Sequence, residues 1–235
     1  MRTRNHFKNP KTSPARTALR LLTLALAAAA TFVTETASAQ TINFNFSAGV
    51  IQTESSLVGP AGGLGTRWNQ YAGADSTGTV LDSLGATTTV QIDTNFTLTA
   101  VDSATIPLTM LRGSMTDFGK GTDNRNLTIS GLDAGGFYNI WLVTIRSQSA
   151  DGERYAGWWS TTNTTTSAAD QLADSRGNPI NNSTFVQGYN YVLFENVEVD
   201  GSGNIVFTGT AGPLLDGSND TYRHGINGLQ IQNAT

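Results

Sequence analysis

Apolar residues in this 235-residue chain alternate with polar ones in short runs and almost nowhere recur at the three-to-four-residue interval of a helix. That rhythm confines the chain to sheet architectures. Ile42, Phe44 and Phe46 fall on one side of an extended segment, with Thr41, Asn43 and Asn45 on the other, which is the pattern of a half-buried strand. From Gly78 onward, Thr- and Val-rich runs separated by turn residues follow at 78–82, 86–93, 95–102, 107–112, 126–131, 136–146, 189–199, 203–208 and 226–232. Strands so spaced predict a sandwich or barrel, and the chain reads as an all-β antiparallel sandwich with long loops at one end.

In the run 136–146, Phe137, Trp141, Val143 and Ile145 share one face and Tyr138, Ile140 and Leu142 the other, so the pattern predicts an interior strand. The closing run turns Leu229 and Ile231 inward and Gln230 and Gln232 outward, complementing the opening strand, and predicts that the first and last strands pair or neighbour each other. Residues Gly59 to Gly73 read as a loop or irregular edge. The one helical candidate is a turn or two over Ser167–Ala173. It lies inside Ser147–Gly188, the longest unpatterned stretch, whose length is that of a functional or disordered loop.

The N-terminus has a different character. Arg2, Arg4, Lys8, Lys11, Arg16 and Arg20 precede an apolar block from Leu21 to Val33, and Ala37-Ser38-Ala39 supplies small residues for cleavage. At about 1.5 Å per residue the block is too short to cross a hydrocarbon core of about 30 Å. Residues 1–39 therefore read as a signal peptide, and 40–235 as a single domain that is secreted, periplasmic or displayed at the cell surface, with no membrane span. Removing the leader takes away six of 14 basic residues but one of 18 acidic ones, leaving 8 against 17 and a net charge of −9. Such a surface repels phosphate backbones and excludes nucleic acid as a partner. With no cysteine, the domain folds without disulfides and has no thiol chemistry.

The segment from Leu127 through Gly131-Leu132 to Tyr138 and Trp141 joins two strands by a tight Gly-containing turn and predicts a tyrosine corner, the phenol bonding back to the backbone. Together with Ile42-Asn43-Phe44, Trp68-Asn69, Leu81-Asp82-Ser83-Leu84-Gly85 and Ile226-Asn227-Gly228-Leu229-Gln230-Ile231, it resembles the exported sandwich domains found in PEP-CTERM sorted proteins of environmental bacteria. The resemblance spans most of residues 40–235 and implies a galactose-binding-like jelly roll. The chain departs from the sorted members in lacking a terminal Pro-Glu-Pro motif, apolar span and basic tail.

Sugar binding calls for aromatic faces beside charged or amide groups that hydrogen-bond hydroxyls. Asp151, Glu153, Arg154, Tyr155, Trp158 and Trp159 offer that mixture, and so do Arg67, Trp68 and Tyr71. The alternative is that Trp68 plugs the base of a loop and that Trp158 and Trp159 alternate across an edge strand, one of them covering the core. The leading expectation is a non-catalytic module binding carbohydrate or another cell-surface polymer. A polysaccharide hydrolase or lyase would need converging carboxylates, such as Asp151 with Glu153 or Glu195, Glu198 and Asp200, or a set such as Arg154, Tyr155 and His224. A structural surface or matrix protein is the third reading. No catalytic motif is present and no cofactor is expected. Asp117–Asp123 and Asp216–Asp220 offer oxygen ligands for a structural calcium, although Asp, Asn and Gly in such clusters also simply form turns.

Overall fold

A computed structural model describes residues 40–46, 56–63, 65–71, 78–96, 115–117, 124–144, 156–174, 184–211 and 224–234. The expected signal peptide and its cleavage site lie outside them, as do residues 97–102 of the run expected at 95–102 and the whole run expected at 107–112. The twelve strands are β1 (Thr41–Phe46), β2 (Asn69–Tyr71), β3 (Gln91–Thr94), β4 (Met115–Asp117), β5 (Arg125–Ser130), β6 (Phe137–Val143), β7 (Ala156–Thr161), β8 (Asp170–Asp174), β9 (Tyr191–Glu198), β10 (Ile205–Ala211), β11 (His224–Ile226) and β12 (Gly228–Asn233). One five-stranded sheet has the order β2-β1-β12-β6-β9 and a second the order β3-β5-β10-β7-β8, with β11 and β4 forming a separate pair. Every pairing among these strands is antiparallel except β1 with β2. No α-helix occurs among the described residues.

Alternation builds the sandwich. Ile42 faces Ile231 and Phe44 faces Leu229 across β1 and β12, so the first and last strands pair as expected. β6 lies between β12 and β9 as an interior strand. Phe44, Ile140, Leu142, Phe194 and Leu229 from the first sheet enter one core with Leu127, Ile129, Trp159, Ile205 and Phe207 from the second. The rings of Phe194 and Phe207 meet at 4.9 Å. Each such side chain, fully removed from water, contributes roughly 1.5–3 kcal/mol, and that burial holds together a chain with no covalent crosslink.

The tyrosine corner forms where the chain crosses from β5 to β6. The Asp133 backbone N–H donates to the Tyr138 hydroxyl at 3.5 Å. Gly131 makes the turn with φ 75°, and a β-carbon there would lie 2.1 Å from the Thr89 carbonyl oxygen, so only glycine fits. Burial pushes the Tyr138 phenol above its ordinary value, and the charge of Asp133 pushes the same way against the lowering effect of the backbone hydrogen bond.

One expectation is corrected, and one strand departs from simple alternation. Segment 147–188 contains two strands, β7 and β8, and its helical candidate overlaps β8 instead. The inward side of β8 is marked only by Ala173, too weak an apolar signal to be read as a strand, and tertiary pairing with β7 decides its conformation. In β9, Val197 does not share a face with Leu193 and Glu195. A bulge places Glu195 and Asn196 together opposite Asn139, Asn196 adopts φ 50°, and Phe194 and Val197 both turn into the core.

The outer edges of the two sheets are laced together beside that bulge. The Gln171 side-chain amide bonds both the N–H and the carbonyl of Leu193. Thr165 and Ser167 hydroxyls hold the carbonyl and N–H of Glu195, and the Asn163 amide holds the Glu198 carbonyl at 2.9 Å. Side chains thereby satisfy an edge that a neighbouring strand would otherwise cover.

Candidate functional site

Four of the five segments behind the family resemblance converge on the outer face of the first sheet, where they build a buried polar cluster. Gln230 and Asn43, expected to face outward, do so but are fully buried beneath the 59–68 loop. The Gln230 amide donates to Asn43 Oδ1 at 2.9 Å and to the Gly62 carbonyl at 3.1 Å, and accepts from the Ala61 N–H at 2.8 Å. A β-carbon at Gly59 would stand 2.2 Å from Gln230 Oε1, which is why the loop is glycine there. Asn69 bridges β1 to Leu81, donating to the carbonyls of Asn43 and Leu81 and accepting from the Leu81 N–H. Asp82 receives the N–H groups of Leu84 and Ala86 and the Gln40 amide. Each of these polar groups docks a loop on the sheet.

The aromatic residues proposed for ligand stacking separate into two classes. Trp68 is 2% exposed and its indole N–H donates to the Gly63 carbonyl at 3.0 Å, so it plugs the loop base. Tyr71 packs against Phe46 with ring centroids 5.1 Å apart, and Trp159 stacks on Phe96 at 5.8 Å. All three rings are withdrawn from solvent and form no platform, because their positions share the inward parity of the core or lie under the loop. Arg67 is exposed at the mouth of that loop. Asp151, Glu153, Arg154 and Tyr155 lie outside the described residues, immediately before β7 in the chain.

Trp158 differs. It precedes Trp159 on β7 and therefore turns to the outer face of the second sheet, where it is half-buried between Thr210 of β10 and Leu172 of β8. One step along the strands, register brings Asn126, Thr208, Ser160 and Asp170 into a row directly across β5, β10, β7 and β8. Asn95 extends the row beyond β5, its Oδ1 accepting the Asn126 N–H at 2.7 Å. The result is a lane of hydrogen-bonding side chains beside a tryptophan. Thr208 reaches Asn126 Oδ1 at 3.4 Å and Ser160 the Thr208 carbonyl at 3.5 Å, both at the outer limit of a hydrogen bond. The Trp158/Trp159 alternation is legible in sequence, but the lane is not, because it exists only once four strands are in register.

The expected carboxylates fall in three places: Asp151 and Glu153 outside the described residues, Glu195 at the bulge, and Glu198 with Asp200 on one groove. Asp200 caps its own hairpin, accepting from the N–H groups of Ser202 and Asn204, while Glu195 is exposed at the bulge. An open groove of about 570 Å³, lined by residues including Gly135, Thr162, Thr164, Glu198, Asp200 and Val206, lies at the end of β9. Val206 also belongs to the outer face of the second sheet, so groove and lane adjoin. The backbone of His224 pairs with that of Asp117, and Asp216–Asp220 lie outside the described residues. Among the described residues no group of three or more His, Asp or Glu side chains is arranged to hold a metal ion. Nor, among them, is any helix long and apolar enough to cross a membrane. The chain matches no protein-family model and no curated protein.

Proposed function

We propose that this chain is an exported, non-catalytic β-sandwich of the galactose-binding-like kind that binds carbohydrate on the outer face of its second sheet, with Trp158 as the stacking ring. The carrying observation is the position of Trp158, an indole held on a strand and partly open to solvent beside a row of hydroxyl, amide and carboxylate groups. An aromatic face takes the C–H surface of a pyranose, and the neighbouring polar groups take its hydroxyls. A strand holds the ring at little entropic cost on binding, since its backbone is already ordered. Export is supported by the basic leader, the apolar block and the Ala37-Ser38-Ala39 site.

Pull-down on insoluble polysaccharides, with unmodified protein and a Trp158→Ala variant shown by circular dichroism to be folded, tests the binding. Retention on at least one polymer, weakened about tenfold or more in the variant, is expected for loss of a stacking ring. Equal retention of the two proteins would move the site elsewhere, and no retention would leave a structural surface role. N-terminal sequencing of the protein recovered outside the cytoplasm is expected to begin at Gln40.

A further inference from the structure

We infer that the lane formed by Asn95, Asn126, Thr208, Ser160 and Asp170 selects an extended, uncharged polysaccharide chain that lies across the strands, with Trp158 against its flank. The inference rests on the carbohydrate reading above and specifies its ligand.

Geometry supports the extended form. Adjacent strands stand about 4.8 Å apart, so the four in-register side chains from Asn126 to Asp170 span roughly 14 Å in a straight row. That row offers one polar group per strand across the outer face of the sheet, which suits a ligand repeating its hydroxyls along a line and not a single sugar held in a cup. Trp158 lies two residues along β7 from Ser160, about 7 Å to one side, with Leu172 next to it. The lane therefore has one polar floor and one apolar flank, matching the hydroxyl edge and the C–H face of a pyranose chain.

The lane's own hydrogen bonds are weak enough to be exchanged. Thr208 and Ser160 hold their partners only at 3.4 and 3.5 Å, and each hydroxyl keeps capacity for an outside donor or acceptor.

Charge decides the class. The outward positions of the five strands carry Asp93, Asp170 and Asp174 and neither lysine nor arginine. With −9 on residues 40–235, the approach of a uronate, sulfate or phosphate polymer is opposed at long range and on contact. An uncharged chain meets neither barrier, and Asp170 at the end of the lane can accept from two of its hydroxyls.

The test measures depletion of the unmodified protein by insoluble cellulose, by insoluble mixed-linkage β-glucan and by crosslinked polygalacturonate at low and physiological salt. A Thr208→Val/Ser160→Ala variant removes two lane hydroxyls while keeping residues that strands accept, and near-ultraviolet circular dichroism checks that it is folded. Retention on a neutral polymer and not on polygalacturonate, reduced about tenfold or more in the lane variant, is the expected result. Unchanged retention of the lane variant, with loss in Trp158→Ala, would overturn the lane and leave the carbohydrate reading standing. Equal or tighter binding to polygalacturonate would overturn the uncharged class. Failure to bind any of the polymers would overturn both.

Discussion

Replacing Gln230 by leucine tests whether the residues behind the family resemblance act through structure. Gln230 is fully buried and makes three hydrogen bonds, to Asn43, Gly62 and Ala61. Leucine nearly matches its volume, so the change removes hydrogen bonds without opening a large cavity. Asn43 is itself fully buried, and its Oδ1 loses the Gln230 donor, at a cost of about 1–3 kcal/mol for the stranded acceptor. Ala61 and Gly62 are half-buried and water can reach them, so each adds about 0.5–1 kcal/mol. The loss comes to about 3 kcal/mol, which for a domain of this size lowers Tm by roughly 10 °C. Urea unfolding monitored by tryptophan fluorescence measures it as a lower midpoint at unchanged slope. An Asn43→Leu/Gln230→Leu double variant should lose at least about 1 kcal/mol less than the sum of the single variants, because neither side is then left with an unmatched amide. A cost for Gln230→Leu below about 1 kcal/mol, or strict additivity, would refute the buried-cluster reasoning.

The two neighbouring tryptophans should respond in opposite ways. Trp159→Ala empties a fully buried site and should cost about 3–5 kcal/mol in chemical denaturation, whereas Trp158→Ala should cost about 1 kcal/mol or less while weakening polysaccharide retention. Gly131→Ala forces a β-carbon onto the Thr89 carbonyl at φ 75° and should destabilise by about 3 kcal/mol or more, measured by the same unfolding curves. For Tyr138 the folded-state pKa is raised, so its contribution to stability is complete below the unfolded value of about 10 and is lost as pH rises through the folded value. Stability followed from pH 8 to 11.5 should therefore fall less steeply in Tyr138→Phe than in the unmodified protein.

What the sequence reveals here depends on how local the cause is. Pairing of β1 with β12 follows from two short alternating patterns with matching apolar sides, and the tyrosine corner from a glycine turn ahead of a tyrosine. Asn43 and Gln230 are different: alternation places them on the outer face correctly, but nothing nearby in sequence says that a glycine-rich loop will cover that face. The full extent of β7 and β8 is hard to read because three of their five inward positions are Gly157, Gln171 and Ala173, which carry little apolar signal and take their places from pairing and side-chain contacts with other strands. The bulge at Glu195-Asn196 breaks the period-two rule in a strand that otherwise obeys it. For the site, parity separates Trp158 from Trp159, but the lane beside Trp158 requires the registers of four strands, which no single segment encodes.

The place of β12 has a kinetic consequence. It sits between β1 and β6, and Thr41 pairs with Gln232, so the first sheet cannot close until almost the whole chain is available. At synthesis rates of about 5–20 residues per second, β1 waits roughly 10–40 s for its partner. During that interval the chain holds no complete first sheet and stays pliable. A contact order this high makes folding slow, and it keeps the polypeptide threadable for any channel that must carry it unfolded.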